Sequence, residues 1–104
     1  MIFYVYVLFS LKDKHFYIGY TNDLKRRIKQ HLSGKTKSLR HRKELKLIYF
    51  EGFLNKKDAL EKEKFYKSGR GHEVLNKILK NSLLQLNSGH GGSSESEDQM
   101  SVRL

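Results

Sequence analysis

The stretch from residue 17 to residue 31 gathers three side chains that can take part in acid–base or phosphate chemistry. Tyr17 lies in an apolar run that breaks at Gly19, and Arg27 and His31 follow in a basic segment, four residues apart. In a helix this spacing places the arginine and the histidine on one face. We therefore expect a tyrosine, an arginine and a histidine to meet where a strand joins a helix.

The residues after Gly19 predict that helix. Asn22 can serve as its N-cap, and Asp23 suits the first turn. Gly34 suits the C′ position after its last turn. A buried stripe recurs every four residues along it: Leu24, Ile28 and Leu32.

Apolar patterning predicts an α+β fold. Strands are expected over Ile2–Leu11, His15–Gly19 and Leu45–Phe53, and further helices over Asn55–Ser68 and His72–Leu86. The order β-β-α-β-α-α indicates a three-stranded antiparallel sheet flanked by helices. Within the first strand, alternation places Tyr4 and Tyr6 on one face, opposite Phe3, Val5 and Val7.

The charge predicts a polyanionic partner. The chain holds 21 Lys and Arg against 11 Asp and Glu, a formal net charge of +10 on 104 residues. Such an excess on a small domain favours nucleic acid, although a basic surface can also serve solubility alone. Lys35–Lys43 is either a phosphate-contacting surface or a solvated connector. The candidate phosphate contacts are Lys25, Arg26, Lys35, Lys37, Arg40 and Arg42.

Composition also sets the boundaries of the domain and excludes some kinds of site. Residues 1–87 are expected to form one domain, and Ser88–Leu104, which is small and polar, a disordered tail. The absence of cysteine excludes disulfides, cysteine zinc sites and thiol catalysis. No apolar run is long enough to span a membrane, and Met1–Tyr4 reads as a strand rather than a signal peptide. A cytoplasmic protein is expected.

Taken together, the ordered motifs resemble the GIY-YIG nuclease domain. The likeness covers about residues 1–86. One tripeptide departs from the family's pattern, because Tyr4-Val5-Tyr6 stands where Gly-Ile-Tyr names the family. The motifs that carry the resemblance are Val5-Tyr6-Val7-Leu8, Tyr17-Ile18-Gly19, Asp23-Leu24 with Arg27 and His31, and Ala59-Leu60 with Glu63.

The resemblance implies a metal-dependent endonuclease that hydrolyses phosphodiester bonds with one divalent cation, Mg²⁺ or Mn²⁺. Tyr6 resembles the tyrosine that activates the attacking water, and Tyr17 the second active-site tyrosine. Arg27 resembles the arginine that stabilises phosphate charge, and His31 the helix residue that assists proton movement. Glu63 resembles the sole protein ligand of the metal. One carboxylate suffices chemically, because Mg²⁺ keeps several waters and takes phosphate oxygen as a ligand.

Several alternatives stay open at this level. Asn76 is a candidate for a further active-site asparagine or an ordinary surface residue. Each proposed catalytic side chain also has a structural interpretation, such as an ion pair of Glu63 with Lys67. The family includes homing and restriction nucleases, repair incision subunits and junction-resolving enzymes. DNA is the expected substrate, RNA and the substrate's strandedness stay open, and the alternative function is a nucleic-acid-binding module that does not cut.

Overall fold

The structure, a computed structural model, describes residues 1–32 and 45–87. The segment predicted to contact phosphates, Lys35–Lys43, lies outside these residues, as do Gly34 and the predicted tail Ser88–Leu104. The described elements are β1 (Phe3–Ser10), β2 (Phe16–Thr21), α1 (Leu24–Leu32), β3 (Leu45–Phe53), α2 (Lys56–Lys67), α3 (Gly69–Ile78) and α4 (Lys80–Asn87).

The sheet is antiparallel with the order β2-β1-β3, which confirms the predicted fold class. β1 is central, and its residues from Val5 to Ser10 are all buried. Opposite Tyr6 lie Gly19 on β2 and Phe50 on β3. Since residues paired across strands point to the same face, these three positions share one face of the sheet.

The two faces of β1 belong to two apolar clusters, as the alternation predicts. Tyr6 and Leu8 pack with Leu24 and Ile28 of α1 and with the start of β3. On the opposite face, Val5 and Val7 pack with Ala59 and Tyr66 of α2, Leu75 of α3, and Leu79, which follows α3. The sheet is thus sandwiched between α1 on one side and the later helices on the other.

Two local predictions for the first half of the chain are wrong. β2 continues through Gly19 to Thr21, so the glycine lies inside a strand and does not end it. The α1 N-cap is Asp23 rather than Asn22: its Oδ1 accepts the Arg26 N–H at 3.3 Å, and its carbonyl accepts the Arg27 N–H at 3.0 Å. Both residue types can cap, and the path of the chain after β2 selects the later one.

The helices after β3 also differ from the prediction. Asn55, a residue type that favours the N-cap position, caps α2, with its side chain accepting from the Lys57 N–H. Ser68 ends α2 and caps α3, because its hydroxyl accepts the Gly71 N–H at 3.1 Å. Residues 69–71, which lie between the two predicted helices, therefore form the start of α3. The last predicted helix is divided at Leu79, whose ψ of 18° is not helical.

No helix in the described ranges is long and apolar enough to cross a membrane.

Candidate active site

A buried tyrosine–histidine pair lies between the sheet and α1. The Tyr6 hydroxyl is 2.7 Å from Nε2 of His31, and the two rings are 5.5 Å apart. Both side chains are buried. His31 lies close to Tyr6 because it follows, by one helical turn, Ile28, which packs α1 against the sheet.

Gly19 provides the space that the Tyr6 ring occupies. A Cβ atom at this position would lie 2.2 Å from the phenol oxygen and 2.3 Å from the ring carbon that bears it. The ring therefore crosses the backbone of β2, an edge strand, on its way to His31. The glycine of the Tyr-Ile-Gly motif allows the Tyr6 ring to lie close to the β2 backbone, a function that the sequence interpretation missed.

Two charged side chains have opposite effects on the pKa of the Tyr6 phenol. The pKa of Tyr6 is raised to about 12: burial is the largest cause, the Arg27 guanidinium lowers the pKa, and the Glu63 carboxylate raises it. Burial and the Arg27 charge both lower the pKa of His31. At neutral pH the phenol is thus protonated and the imidazole neutral, and the tautomer of His31 decides whether the hydroxyl or Nε2 donates in their hydrogen bond.

Two other residues from the sequence prediction, Arg27 and Glu63, act on this pair. Arg27 is exposed on α1, within electrostatic range of both Tyr6 and His31. Glu63 of α2 retains 20% side-chain exposure and forms an ion pair with Lys67, Nζ to Oε2 3.0 Å. The structural interpretation of Glu63 as an i,i+4 partner is therefore present alongside its electrostatic effect on Tyr6.

A second polar cluster fixes α2 on β3. The Glu51 carboxylate accepts hydrogen bonds from Tyr49, at 2.5 Å, and from Tyr66 of α2. Lys62 approaches the same carboxylate at 3.7 Å and lies 5.4 Å from the centre of the Tyr66 ring. Because Tyr66 follows Glu63 by three residues, this cluster sets how α2, and with it Glu63, sits on the sheet. Sequence reasoning missed it, since no local spacing links Glu51 to Tyr66.

The remaining predicted site residues lie elsewhere. The Tyr17 hydroxyl donates to Asp13 Oδ2 at 3.0 Å, in the β1–β2 turn, although its ring packs against the same cluster as Tyr6. Asn76 is exposed on α3, and its side chain donates to the His72 carbonyl at 2.9 Å. It lines a shallow depression of about 380 Å³ with Phe9, Lys14, Leu83 and Asn87. No described contact brings Asn76 to the Tyr6–His31 pair.

The predicted phosphate contacts divide between described and undescribed parts of the chain. Lys25 and Arg26 are exposed on α1. The others, Lys35, Lys37, Arg40 and Arg42, lie outside the described residues.

The donor set around Tyr6 fits weak binding of one divalent cation. Within residues 1–32 and 45–87 no group of three or more His, Asp or Glu side chains converges on a point. The Glu63–Lys67 ion pair engages Oε2, so a cation would be coordinated through Oε1 or would displace Lys67. A hard cation with a single carboxylate ligand completes its shell with water and substrate oxygens.

The three-stranded sheet holds a buried tyrosine–histidine pair beneath the basic helix α1, and the charge of Glu63 on α2 acts on the same tyrosine. Residues 2–76 match the family model described as "GIY-YIG catalytic domain". The chain belongs to this family, a family of nucleases whose substrates are nucleic acids.

The similar proteins are small and span most of this chain. A UPF0213 protein of Clostridium perfringens is 40% identical over 85 residues, which cover 81% of this chain and 90% of that one. A UPF0213 protein of Pediococcus acidilactici is 42% identical over 82 residues, or 76% and 82% of the two chains. The solution NMR structure of a UPF0213 protein of Bacillus halodurans is 37% identical and covers 99% of this chain and 100% of that one, with a TM-score of 0.45. None of these names states an activity.

Proposed function

We propose that this protein is a metal-dependent endonuclease that hydrolyses phosphodiester bonds in DNA. The observation that carries the proposal is the buried 2.7 Å bond between Tyr6 and His31, with the charges of Arg27 and Glu63 acting on the same phenol. Phosphodiester hydrolysis requires a base for water, a positive charge for the phosphate and a proton for the leaving oxygen. Family membership supplies the reaction class.

Each side chain has a role that its surroundings support. Tyr6 takes a proton from the attacking water while its own hydroxyl proton moves to Nε2 of His31, and the leaving oxygen takes its proton from solvent. Because the pKa of Tyr6 is raised and that of His31 is lowered, this transfer would need the positive charge of a cation bound beside the phenol. Arg27 favours the phenolate, because its guanidinium lowers the pKa of Tyr6, and its exposed position allows it to reach a phosphate. Tyr17 is assigned to the rim of the site, where it orients Asp13 and the β1–β2 turn.

Glu63 is the proposed ligand of one Mg²⁺ or Mn²⁺ ion. When bound, such an ion supplies positive charge to the scissile phosphate and lowers the pKa of coordinated water. Its charge would also offset the effect of the Glu63 carboxylate, which by itself raises the pKa of Tyr6. Lys67 must then share the carboxylate or release it.

The test compares Glu63→Gln with Glu61→Gln, an exposed glutamate on the same helix that gives the same change in charge. Labelled single-stranded, duplex, flapped and junction DNA, and the equivalent RNA, are incubated with Mg²⁺ or Mn²⁺. Glu63→Gln should abolish cleavage and leave binding nearly unchanged, whereas Glu61→Gln should cut like the parent. If Glu63→Gln cuts as well as the parent protein, the one-metal assignment is wrong.

A second candidate function, binding without cleavage, is favoured by the high pKa of Tyr6. A phenol with a pKa of about 12 is a poor base near neutral pH unless a cation lowers that value. A binding module would show steep salt dependence and no cleavage of any substrate in the panel. Folded parent protein that binds but never cuts, with either metal present, would establish this function instead.

A further inference from the structure

An aromatic patch lies beside Tyr6 on the same face of the sheet. We define it as Ile2, Tyr4 and Phe50. Ile2 is 40% exposed and Phe50 38% exposed, and the Tyr4 and Phe50 rings meet edge to face with centroids 6.1 Å apart. Tyr4 precedes Tyr6 by two residues on β1, and Phe50 lies directly across from Tyr6 on β3.

The patch is built into the sheet. Gly52 lies opposite Tyr4, and a Cβ there would come within 2.9 Å of Ile2 Cγ2 and 3.4 Å of Tyr4 Cε1. The glycine therefore lets Ile2 and Tyr4 lie close against β3. The cluster beneath α1 includes Tyr6, Leu45 and Leu47, whereas Phe50 keeps more than a third of its surface exposed.

The charge beside the patch identifies its partner. α1 packs on this face, has no acidic residue within Leu24–Leu32, and presents four exposed basic side chains. These are Lys25, Arg26, Arg27 and Lys29. Exposed rings next to concentrated positive charge are the combination that holds single-stranded nucleic acid, because bases stack on the rings while the cations track phosphates. In a continuous duplex the base faces are already stacked and cannot reach a ring.

The distance to the site suits a strand that crosses both. The Tyr6 ring turns over Gly19 on β2, away from Phe50 on β3. With neighbouring strands about 4.8 Å apart, β2 and β3 are about 10 Å apart, the rise of roughly three stacked nucleotides. A base on Phe50 would therefore lie only a few nucleotides from a phosphate held at Tyr6.

We propose that the aromatic patch stacks unpaired bases, so that the site selects nucleic acid with a single-stranded segment over continuous duplex. The proposal deepens the proposed function, and its binding test needs no cleavage. The probes are a fluorescein-labelled 16-nucleotide single strand and the duplex of the same sequence. Fluorescence anisotropy in EDTA measures the dissociation constants of both.

Phe50→Leu should weaken binding of the single strand about tenfold, within the range expected for losing one stacked base, and change duplex binding less than twofold. Phe50→Tyr, which keeps a ring, should restore single-strand binding. The matched control is Leu84→Ala, which removes an exposed apolar side chain from α4, outside the patch. Thermal unfolding verifies that each variant is folded.

The outcomes separate this proposal from the proposed function. If Phe50→Leu binds both probes like the parent, the patch does not stack bases, whether or not the protein cuts. If Phe50→Leu loses single-strand affinity while the parent cuts nothing, the patch is supported and catalysis is not. If sedimentation shows that Phe50→Leu changes the parent's mass in solution instead, the patch is an interface between protein copies and the proposal is overturned.

Discussion

Gly19→Ala should disturb the candidate site more than Gly52→Ala, the other replacement of a glycine in the sheet. The new Cβ would lie 2.2 Å from the Tyr6 hydroxyl oxygen, where ordinary contact begins near 3.4 Å. Tyr6 is buried and cannot simply swing into solvent. Its phenol must move by about 1 Å, which is enough to lengthen the 2.7 Å bond to His31 beyond ordinary hydrogen-bonding range.

The size of the effect follows from two opposing contributions. Forcing a methyl group into a packed region costs about 1–3 kcal/mol. Replacing glycine within a strand returns about 0.5–1 kcal/mol, because alanine loses less backbone entropy on folding. The net loss is therefore at most about 2.5 kcal/mol, and at about 4–8 °C per kcal/mol it lowers the melting temperature by up to about 20 °C for a domain of this size. A misplacement of 1 Å at a reacting group costs cleavage about 100-fold.

The assay pairs Gly19→Ala with Gly69→Ala, where an added Cβ meets no atom within 4 Å. Thermal unfolding by circular dichroism measures stability, and the cleavage panel measures rate at a temperature where both variants are folded. Gly69→Ala should match or slightly exceed the parent's stability, since alanine favours the first turn of α3. Parent-like stability and cleavage in Gly19→Ala would refute the placement of the Tyr6 ring over β2.

Two further predictions concern the helices that hold the site. Tyr66→Phe removes a hydroxyl that donates to Glu51, so the free energy of unfolding should fall by about 1–2 kcal/mol. Cleavage should fall more than nucleic-acid binding, and Tyr20→Phe on β2 is the control. Equal losses of cleavage and binding would argue against a role of Tyr66 in placing α2. The pKa of His31 in the folded protein lies below its ordinary value, so the unfolded chain binds a proton more readily than the folded one. The neutral imidazole therefore contributes fully to stability above about pH 6.5, and this contribution is lost as the pH falls through the lower pKa of the folded state. The melting temperature of His31→Gln should therefore depend less on pH between 5 and 7.5 than that of the parent, and identical slopes would contradict the assignment.

Local patterns in the sequence predicted the elements well where one face of an element decides its structure. β3 runs over the predicted residues Leu45–Phe53, and the alternation of β1 assigns Tyr6 and Val7 to the correct faces. Asn55 caps α2 as its residue type indicates. In each of these cases the information lies within a few residues of the position concerned.

Features that depend on distant contacts were not predictable in this way. Gly19 has the local signature of a strand end, yet β2 continues through it. The reason for a glycine there is distant in sequence, because the Tyr6 ring lies where a side chain at position 19 would be. The contact between Glu51 and Tyr66 joins residues 15 apart in the chain. The family resemblance named Tyr6, His31 and Glu63, but their mutual geometry, and the departure of the Tyr17 hydroxyl toward Asp13, became visible only in three dimensions.

The single-residue corner at Ser68 also bears on how chain length can vary in this family. Ser68 completes one helix and begins the next, and a Cβ on Gly71 would lie 2.0 Å from the Phe65 carbonyl. An inserted residue there would separate both caps and turn α3 out of register with the sheet. The β1–β2 turn, by contrast, is exposed at Lys12 and Lys14. Length differences among related sequences should therefore accumulate at that turn and be absent from the corner. In a random-insertion library, the tolerated insertions should show the same distribution.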